Sequence, residues 1–188
     1  MNSDTSRPRT ADDAPAFLRT PAHWLRVAPR SLAIVVFGAW CTLIFVLSGQ
    51  PSPELGHSFR PLRAWAHNTL HAPEFAVFMV LFLWATSKRG VKLTVGHRRI
   101  FWAVIVVLIY ASSDEWHQSF TPGRDSSVCD VLTDVCGGTS AALFLRAIEE
   151  GFSGARILRI VFVPVLACAL AALIATFLPS VWPNIGWL

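Results

Sequence analysis

Apolar residues along the chain gather into long runs and do not alternate with polar ones. Three runs are uninterrupted, at 32–47, 100–111 and 161–178, and two weaker runs lie at 75–85 and 128–145. A bilayer core about 30 Å thick requires about 20 helical residues. The first and last runs reach that length with their flanks, and the other three reach it by including polar residues. The pattern predicts an all-α polytopic membrane protein, with transmembrane helices at about 31–48, 67–86, 100–118, 128–146 and 157–178.

The basic residues follow the same division of the chain. Of the sixteen Lys and Arg, thirteen lie in the tail before the first run, in the segment after the second run and in the segment before the fifth run. Clusters in alternate connections are typical of membrane topology, because basic loops stay in the cytoplasm. We therefore expect a multi-pass plasma-membrane protein, with its N-terminus in the cytoplasm and its C-terminus outside. The net charge of +4 then reflects topology, and no nucleic-acid partner is expected.

This topology brings ionisable residues of three helices to the outer end of the bundle. The second helix contributes His71 and Glu74 near its start, and the fourth contributes Asp130 and Asp134. The end of the third helix and the turn after it contribute Asp114, Glu115, His117, Gln118 and Arg124. A carboxylate near hydrocarbon costs several kcal/mol unless it is paired, protonated or wet. We therefore expect a functional site here, although the same residues could form a structural network that only holds the helices together.

One part of this set resembles a known family signature. The segment from Asp114 to Arg124 reads DEWHQSFTPGR, and it is followed by Asp130, Asp134 and two glycines. This closely resembles the D-E-x-x-Q-x-F-x-P-G-R signature of the VanZ-like membrane protein family, whose upstream histidine, acid and aromatic residue match His71, Glu74 and Phe75. Family members often carry a basic residue before that histidine, where this chain has His67 and Asn68. The founding member of the family is associated with resistance to the glycopeptide antibiotic teicoplanin.

The resemblance covers about 31–145 and suggests a division of the chain into three parts. Residues 1–30, which are rich in Arg and Pro, are expected to form a flexible cytoplasmic tail. Residues 31–146 form the VanZ-like membrane domain. Residues 147–188 comprise an inner loop, the fifth transmembrane helix and a short outer tail.

Three functions are compatible with these residues. The first is an envelope enzyme or binding site that acts on an extracytoplasmic component, such as a lipid-linked cell-wall precursor. The second is a proton-coupled carrier, which the lack of matching acids at the inner ends disfavours. The third is a structural or partner-binding bundle. We prefer the first function, and we expect the protein to lie in the lipid bilayer. The family resemblance implies a link to glycopeptide resistance.

Roles within the site follow from side-chain chemistry. Arg124 is expected to bind substrate, because a guanidinium forms paired hydrogen bonds with phosphate or carboxylate. His71 and Glu74 are expected to complete this substrate-binding site. Acid–base or direct catalytic roles are expected among Asp114, Glu115, His117, Gln118, Asp130 and Asp134. A divalent metal such as Zn²⁺ or Mn²⁺ is an alternative means of catalysis. Its candidate ligands are His71, Glu74, Asp114, His117 and Asp134.

Overall fold

The computed structural model describes residues 25, 28–51, 60–88, 93, 96–122, 124 and 126–181, without the side chains of 60–68, 171–172 and 175–181. This part of the chain forms five α-helices and contains no strand. They are α1 (Arg30–Ser48), α2 (Arg60–Ala85), α3 (Gly96–Gln118), α4 (Val128–Glu149) and α5 (Gly154–Val181). The prediction of an all-helical protein is therefore confirmed.

The helices are longer than the apolar runs that predicted them. The largest difference is in α2, which begins at Arg60, whereas the sequence placed its start near 67. Pro61 lies in the first turn of α2, within the part that the prediction left out of the helix. Proline is tolerated in the first turn of a helix, where its missing N–H would have no intrahelical partner. Among the described residues, two helices, Arg30–Ser48 and Val128–Glu149, are long and apolar enough to cross a membrane by length and composition, and the apolar part of α2, Thr69–Ala85, is shorter.

Polar contacts at one end of the bundle show that each of the helices α1–α4 runs antiparallel to the next. Arg30, at the start of α1, donates from Nε to the carbonyl of Ala85 at the end of α2, at 3.2 Å. Arg99, near the start of α3, donates to the carbonyl of Leu83 at 2.9 Å. These cations lie where the α2 dipole is negative. Just before α3, the Leu93 N–H donates to the Glu149 carboxylate at the end of α4, at 2.6 Å. We call this end the basic end.

Helix α4 packs against α2, α3 and α5. The apolar core next to it includes Phe75, Phe78, Met79 and Leu83 from α2 and Val107 from α3, each at most 1% exposed. Helix α1 covers the α2–α3 side of this core, where the Phe37 ring packs edge-on against Phe78 with centroids 5.0 Å apart. Helix α5 covers α4 and α2 on the opposite side.

Two glycines let α4 approach its neighbours closely. A Cβ placed on Gly137 would lie 2.2 Å from the carbonyl oxygen of Ala72 in α2. A Cβ on Gly138 would lie 3.2 Å from Val107 Cγ2 in α3. Small residues permit such backbone-to-backbone contact between helices. The Gly137 contact cannot be relieved by a rotamer change, because the opposing atoms belong to the Ala72 backbone.

Replacement of Gly137 tests this contact. Alanine is favoured over glycine inside a helix by about 1 kcal/mol, but Gly137→Ala should instead destabilise the protein by about 2 kcal/mol through overpacking. The free energy of unfolding of the purified full chain, measured by denaturant titration, checks the sign. Gly38→Ala is the matched control in α1, because no atom of the described residues lies within 4 Å of its added Cβ. If the two substitutions have the same effect, the close approach of α2 and α4 is refuted.

Candidate functional site

A buried histidine–carboxylate pair joins α2 to α4 one turn from the Gly137 contact. His71 Nδ1 lies 3.1 Å from Asp134 Oδ1, and the two side chains are 5% and 0% exposed. His71 directly precedes Ala72, and Asp134 lies three residues before Gly137 on the same face of α4. The approach of the two backbones therefore brings this pair within hydrogen-bond distance.

Two further carboxylates complete what we call the buried cluster, which consists of His71, Glu115, Asp130 and Asp134. One potential ligand atom from each of His71, Glu115 and Asp130 lies within 4.8 Å of the other two. Glu115 comes from the end of α3, and Asp130 comes from the first turn of α4. Three helices thus place four ionisable side chains in one small buried volume.

Local hydrogen bonds hold Glu115 in this position. Its Oε2 accepts a hydrogen bond from the backbone N–H of Ser127 at 2.8 Å. Ser127 is the N-cap of α4, and its side chain accepts from the Cys129 N–H. Glu115 therefore satisfies one backbone N–H at the start of α4 while its other oxygen stays inside the bundle.

Three oxygens of the buried cluster lack hydrogen-bond partners within the part of the chain that is described. They are Glu115 Oε1, Asp130 Oδ1 and Asp134 Oδ2. A buried acceptor without a donor costs about 1–3 kcal/mol, and such groups are rare in native proteins. One imidazole, even when protonated, cannot neutralise three carboxylates. The negative charge and the unpaired oxygens of the cluster therefore require protons, a cation or a ligand with hydrogen-bond donors.

A second polar group lies beside the buried cluster and consists of Glu74, Asp114 and Gln118. Gln118 Nε2 donates to Asp114 Oδ2 at 2.8 Å, and both side chains are buried. Glu74 is partly buried and close enough to interact electrostatically with His71, Asp114 and Arg124. The Glu74 backbone carbonyl accepts from Trp40 Nε1 at 3.3 Å, which ties α2 to α1 here. The second polar group links the buried cluster to the α3–α4 turn.

Arg124 and His117 both contact the C-terminal end of α1. Arg124 donates from Nη2 to the Leu47 carbonyl at 2.8 Å and from Nε to the Gln50 carbonyl at 3.0 Å. A cation bound to the last carbonyls of a helix interacts favourably with its dipole. His117 Nδ1 lies 3.2 Å from Ser48 Oγ, and its ring stacks on Phe45 with centroids 4.1 Å apart. These contacts give both residues a role in fastening the α3–α4 turn to α1.

The structure therefore divides the residues selected from the sequence. It brings His71, Glu115, Asp130 and Asp134 together, sets Glu74, Asp114 and Gln118 beside them, and turns His117 and Arg124 toward α1. Of the metal-ligand candidates, His71 and Asp134 belong to the buried cluster, whereas Glu74, Asp114 and His117 do not. The side chain of His67 lies outside the description.

Gly137 and Ser127 are not among the functional residues predicted from the sequence. The signal for Gly137 was a pair of glycines inside an apolar helix, since small residues mark close helix packing. The signal for Ser127 was a serine one residue before an apolar run, which is typical of an N-cap.

The family model described as VanZ/LLP1 matches residues 30–149. The chain belongs to the VanZ/LLP1 family. The matched region contains α1–α4, the buried cluster and the second polar group, whereas α5 lies beyond it. The resemblance found in the sequence is therefore confirmed. No curated protein and no solved structure matches the chain.

The pairing within this VanZ/LLP1 site can be measured with a double-mutant cycle. His71→Ala should cost about 3 kcal/mol of unfolding free energy, because it leaves Asp134 buried without its partner. In the cycle of His71→Ala and Asp134→Ala, the coupling energy should be about 1.5 kcal/mol.

The control cycle pairs His97→Ala with Arg146→Ala. These side chains meet at 2.9 Å in an exposed position, so we expect coupling below about 0.5 kcal/mol. Equal coupling in the two cycles would contradict a buried interaction between His71 and Asp134.

Proposed function

We propose that this VanZ/LLP1 protein is an integral membrane protein whose five helices span the plasma membrane. The supporting observation is that the bundle buries ionisable side chains in its interior and exposes large apolar side chains on its surface. The buried cluster lies in its interior, while large apolar side chains cover its surface. The exposed set includes Leu32, Ile34, Val35, Phe45 and Val46 in α1, Phe101, Trp102, Ile109 and Trp116 in α3, and Leu158, Phe162, Val163, Val165 and Leu170 in α5.

Such a surface is unfavourable in water, where a monomeric protein rarely exposes more than a few hundred Å² of contiguous apolar area. Hydrocarbon surroundings make it favourable and also require that backbone groups be satisfied within helices. The basic end, with Arg30 and Arg99, would face the cytoplasm by the positive-inside rule. The buried cluster lies toward the opposite end, near the end of α3 and the start of α4, and would then face outward.

Reporter fusions test this orientation. Alkaline phosphatase fused after Gln50 should be active, and the same reporter fused after Lys88 should be inactive, because the enzyme folds only outside the cytoplasm. The full chain should stay in the membrane pellet after extraction at alkaline pH. Extraction into the supernatant, or phosphatase activity after Lys88, would overturn the proposed topology.

For the site itself, the best-supported role is to bind or act on a component of the cell envelope. The observation that carries this role is that three buried carboxylate oxygens have no hydrogen-bond donor among the described residues. In a purely structural network, these oxygens would be expected to have partners. If the site is catalytic without a metal, one protonated carboxyl would act as general acid and a second carboxylate as base.

An apolar groove supports a lipid-linked ligand. An open groove of about 370 Å³ is lined by Ala76, Val77, Val80, Ser140, Ala141, Phe144 and Val161. Its lining begins five residues after His71 in α2 and six residues after Asp134 in α4, or about 8–9 Å farther along each helix. A ligand with a polar head at the buried cluster and a hydrocarbon chain in this groove would match both surfaces.

A carrier function is less well supported. Contrary to the sequence expectation, the basic end does hold a buried acid. This acid is Glu149, which is only 3% exposed. However, the core between Glu149 and the buried cluster is apolar and includes Met79, Leu83 and Val107, each fully buried. A proton path requires polar groups along its depth.

Glycopeptide susceptibility tests the envelope role. In a teicoplanin-sensitive host, the wild type should raise the inhibitory concentration of teicoplanin, and Asp134→Asn should abolish that protection. Glu150→Gln serves as the matched control, because this acid pairs with Arg146 at the basic end, at 2.8 Å. Membrane abundance is measured for each variant. Equal protection by wild type and Asp134→Asn at equal abundance, or no protection by wild type, would refute the link between this cluster and glycopeptide resistance.

A further inference from the structure

We infer that His71, Glu115 and Asp130 bind one divalent transition-metal ion, with Asp134 as the residue that orients His71. This inference deepens the proposed function and rests on it, because it names a ligand of the same buried site. Of the five ligands expected from the sequence, it keeps only His71, gives Asp134 an orienting role and leaves out Glu74, Asp114 and His117. Four observations support it: ligand spacing, unpartnered oxygens, the position of Asp134 and the local charge.

The ligand atoms are already close to metal-binding distances. Those of His71, Glu115 and Asp130 lie within 4.8 Å of one another. Around an ion with bonds of about 2.1 Å, neighbouring ligand atoms are about 3–4 Å apart. Closure from the observed spacing requires shifts of about 1 Å, which small rotations of the two carboxylate side chains can supply.

The unpartnered oxygens belong to two of the three ligands. Glu115 and Asp130 are 1% and 4% exposed, and each has one oxygen without a hydrogen-bond partner in the described part of the chain. The other oxygen of Glu115 is fixed by the Ser127 N–H at 2.8 Å. A carboxylate held by one oxygen with its second oxygen unpaired is arranged as metal ligands commonly are.

Asp134 has the position of an orienting carboxylate. It lies 3.1 Å from Nδ1 of His71. In metal sites, a ligating histidine usually donates from one ring nitrogen to a carboxylate, which fixes its tautomer and leaves the other nitrogen for the ion. The side chains of His71 and Asp134 are both buried, so their contact sets the orientation of the His71 ring before an ion enters.

The charge balance also favours a divalent ion. His71 is close enough to interact electrostatically with all three carboxylates of the cluster, those of Glu115, Asp130 and Asp134. Three carboxylates in a low-dielectric interior repel one another, and a divalent ion offsets this repulsion. Because the ligands combine one imidazole with two carboxylates, they suit Zn²⁺ or Mn²⁺ better than a metal that prefers thiolates.

Direct metal measurements test the inference. The full chain is purified in detergent without chelators, its metal content is measured by elemental analysis, and the EDTA-treated protein is titrated with Zn²⁺ and, separately, with Mn²⁺. The wild type should bind one equivalent of at least one ion and gain thermal stability from it. Glu115→Gln and Asp130→Asn should weaken binding at least about 100-fold, and Asp134→Asn should weaken it about 10–100-fold.

Glu150→Gln is the control and should bind like the wild type. Because a ligand variant could fail to fold, helix content and size-exclusion profile are measured for each. Folded wild type that binds neither ion, or folded Glu115→Gln and Asp130→Asn that bind as tightly as wild type, would overturn the inference. Metal binding without glycopeptide protection would refute the link between the cluster and glycopeptide resistance and leave the metal site standing. Glycopeptide protection that is unaffected by metal removal, in protein that binds no ion, would refute the metal site and leave that link standing.

Discussion

The contact between the backbones of α2 and α4 is the constraint on which the rest of the structure depends. At Gly137 there is no room for a side chain, because the Ala72 carbonyl occupies the space where a Cβ would lie. This contact sets both the distance and the relative height of the two helices. His71 and Asp134 lie beside it and meet at 3.1 Å as a consequence. A slightly wider separation would leave both groups buried without each other.

The site accumulates charge at a cost to stability. Glu115, Asp130 and Asp134 are almost fully buried, and each keeps one oxygen without a donor in the described part of the chain. Apolar residues of similar size would pack at lower cost, since buried ion pairs contribute little net stability. The stability of the fold comes from other contacts. These are the apolar core of α2 and α3, and the contacts of Arg124 and His117 that fasten the α3–α4 turn to α1. This distribution is expected where function, and not stability, determines the residues at a site.

The sequence predicted the helices and the neighbourhood of the site well, because both follow from periodicity and chain order. It could not predict which faces meet. Asp114 and Glu115 are adjacent, and successive helical residues point about 100° apart, so one of them must turn away from His71. The rotation of α3 against α2 and α4 decides that Glu115 joins the buried cluster and that His117 packs on α1. That rotation depends on packing at residues such as Gly138 and Val107, which no local spacing reveals.

The central claim is that the glycine contact creates the histidine–carboxylate pair, and the ¹⁵N–¹H NMR signal of the His71 ring tests it most directly. Wild type and Gly38→Ala should show a low-field Nδ1–H resonance typical of a hydrogen bond to a carboxylate, and Asp134→Asn identifies that resonance by shifting it. In Gly137→Ala, the account predicts that the resonance shifts or disappears although neither partner has changed. A resonance in Gly137→Ala identical to that of the wild type would contradict the account.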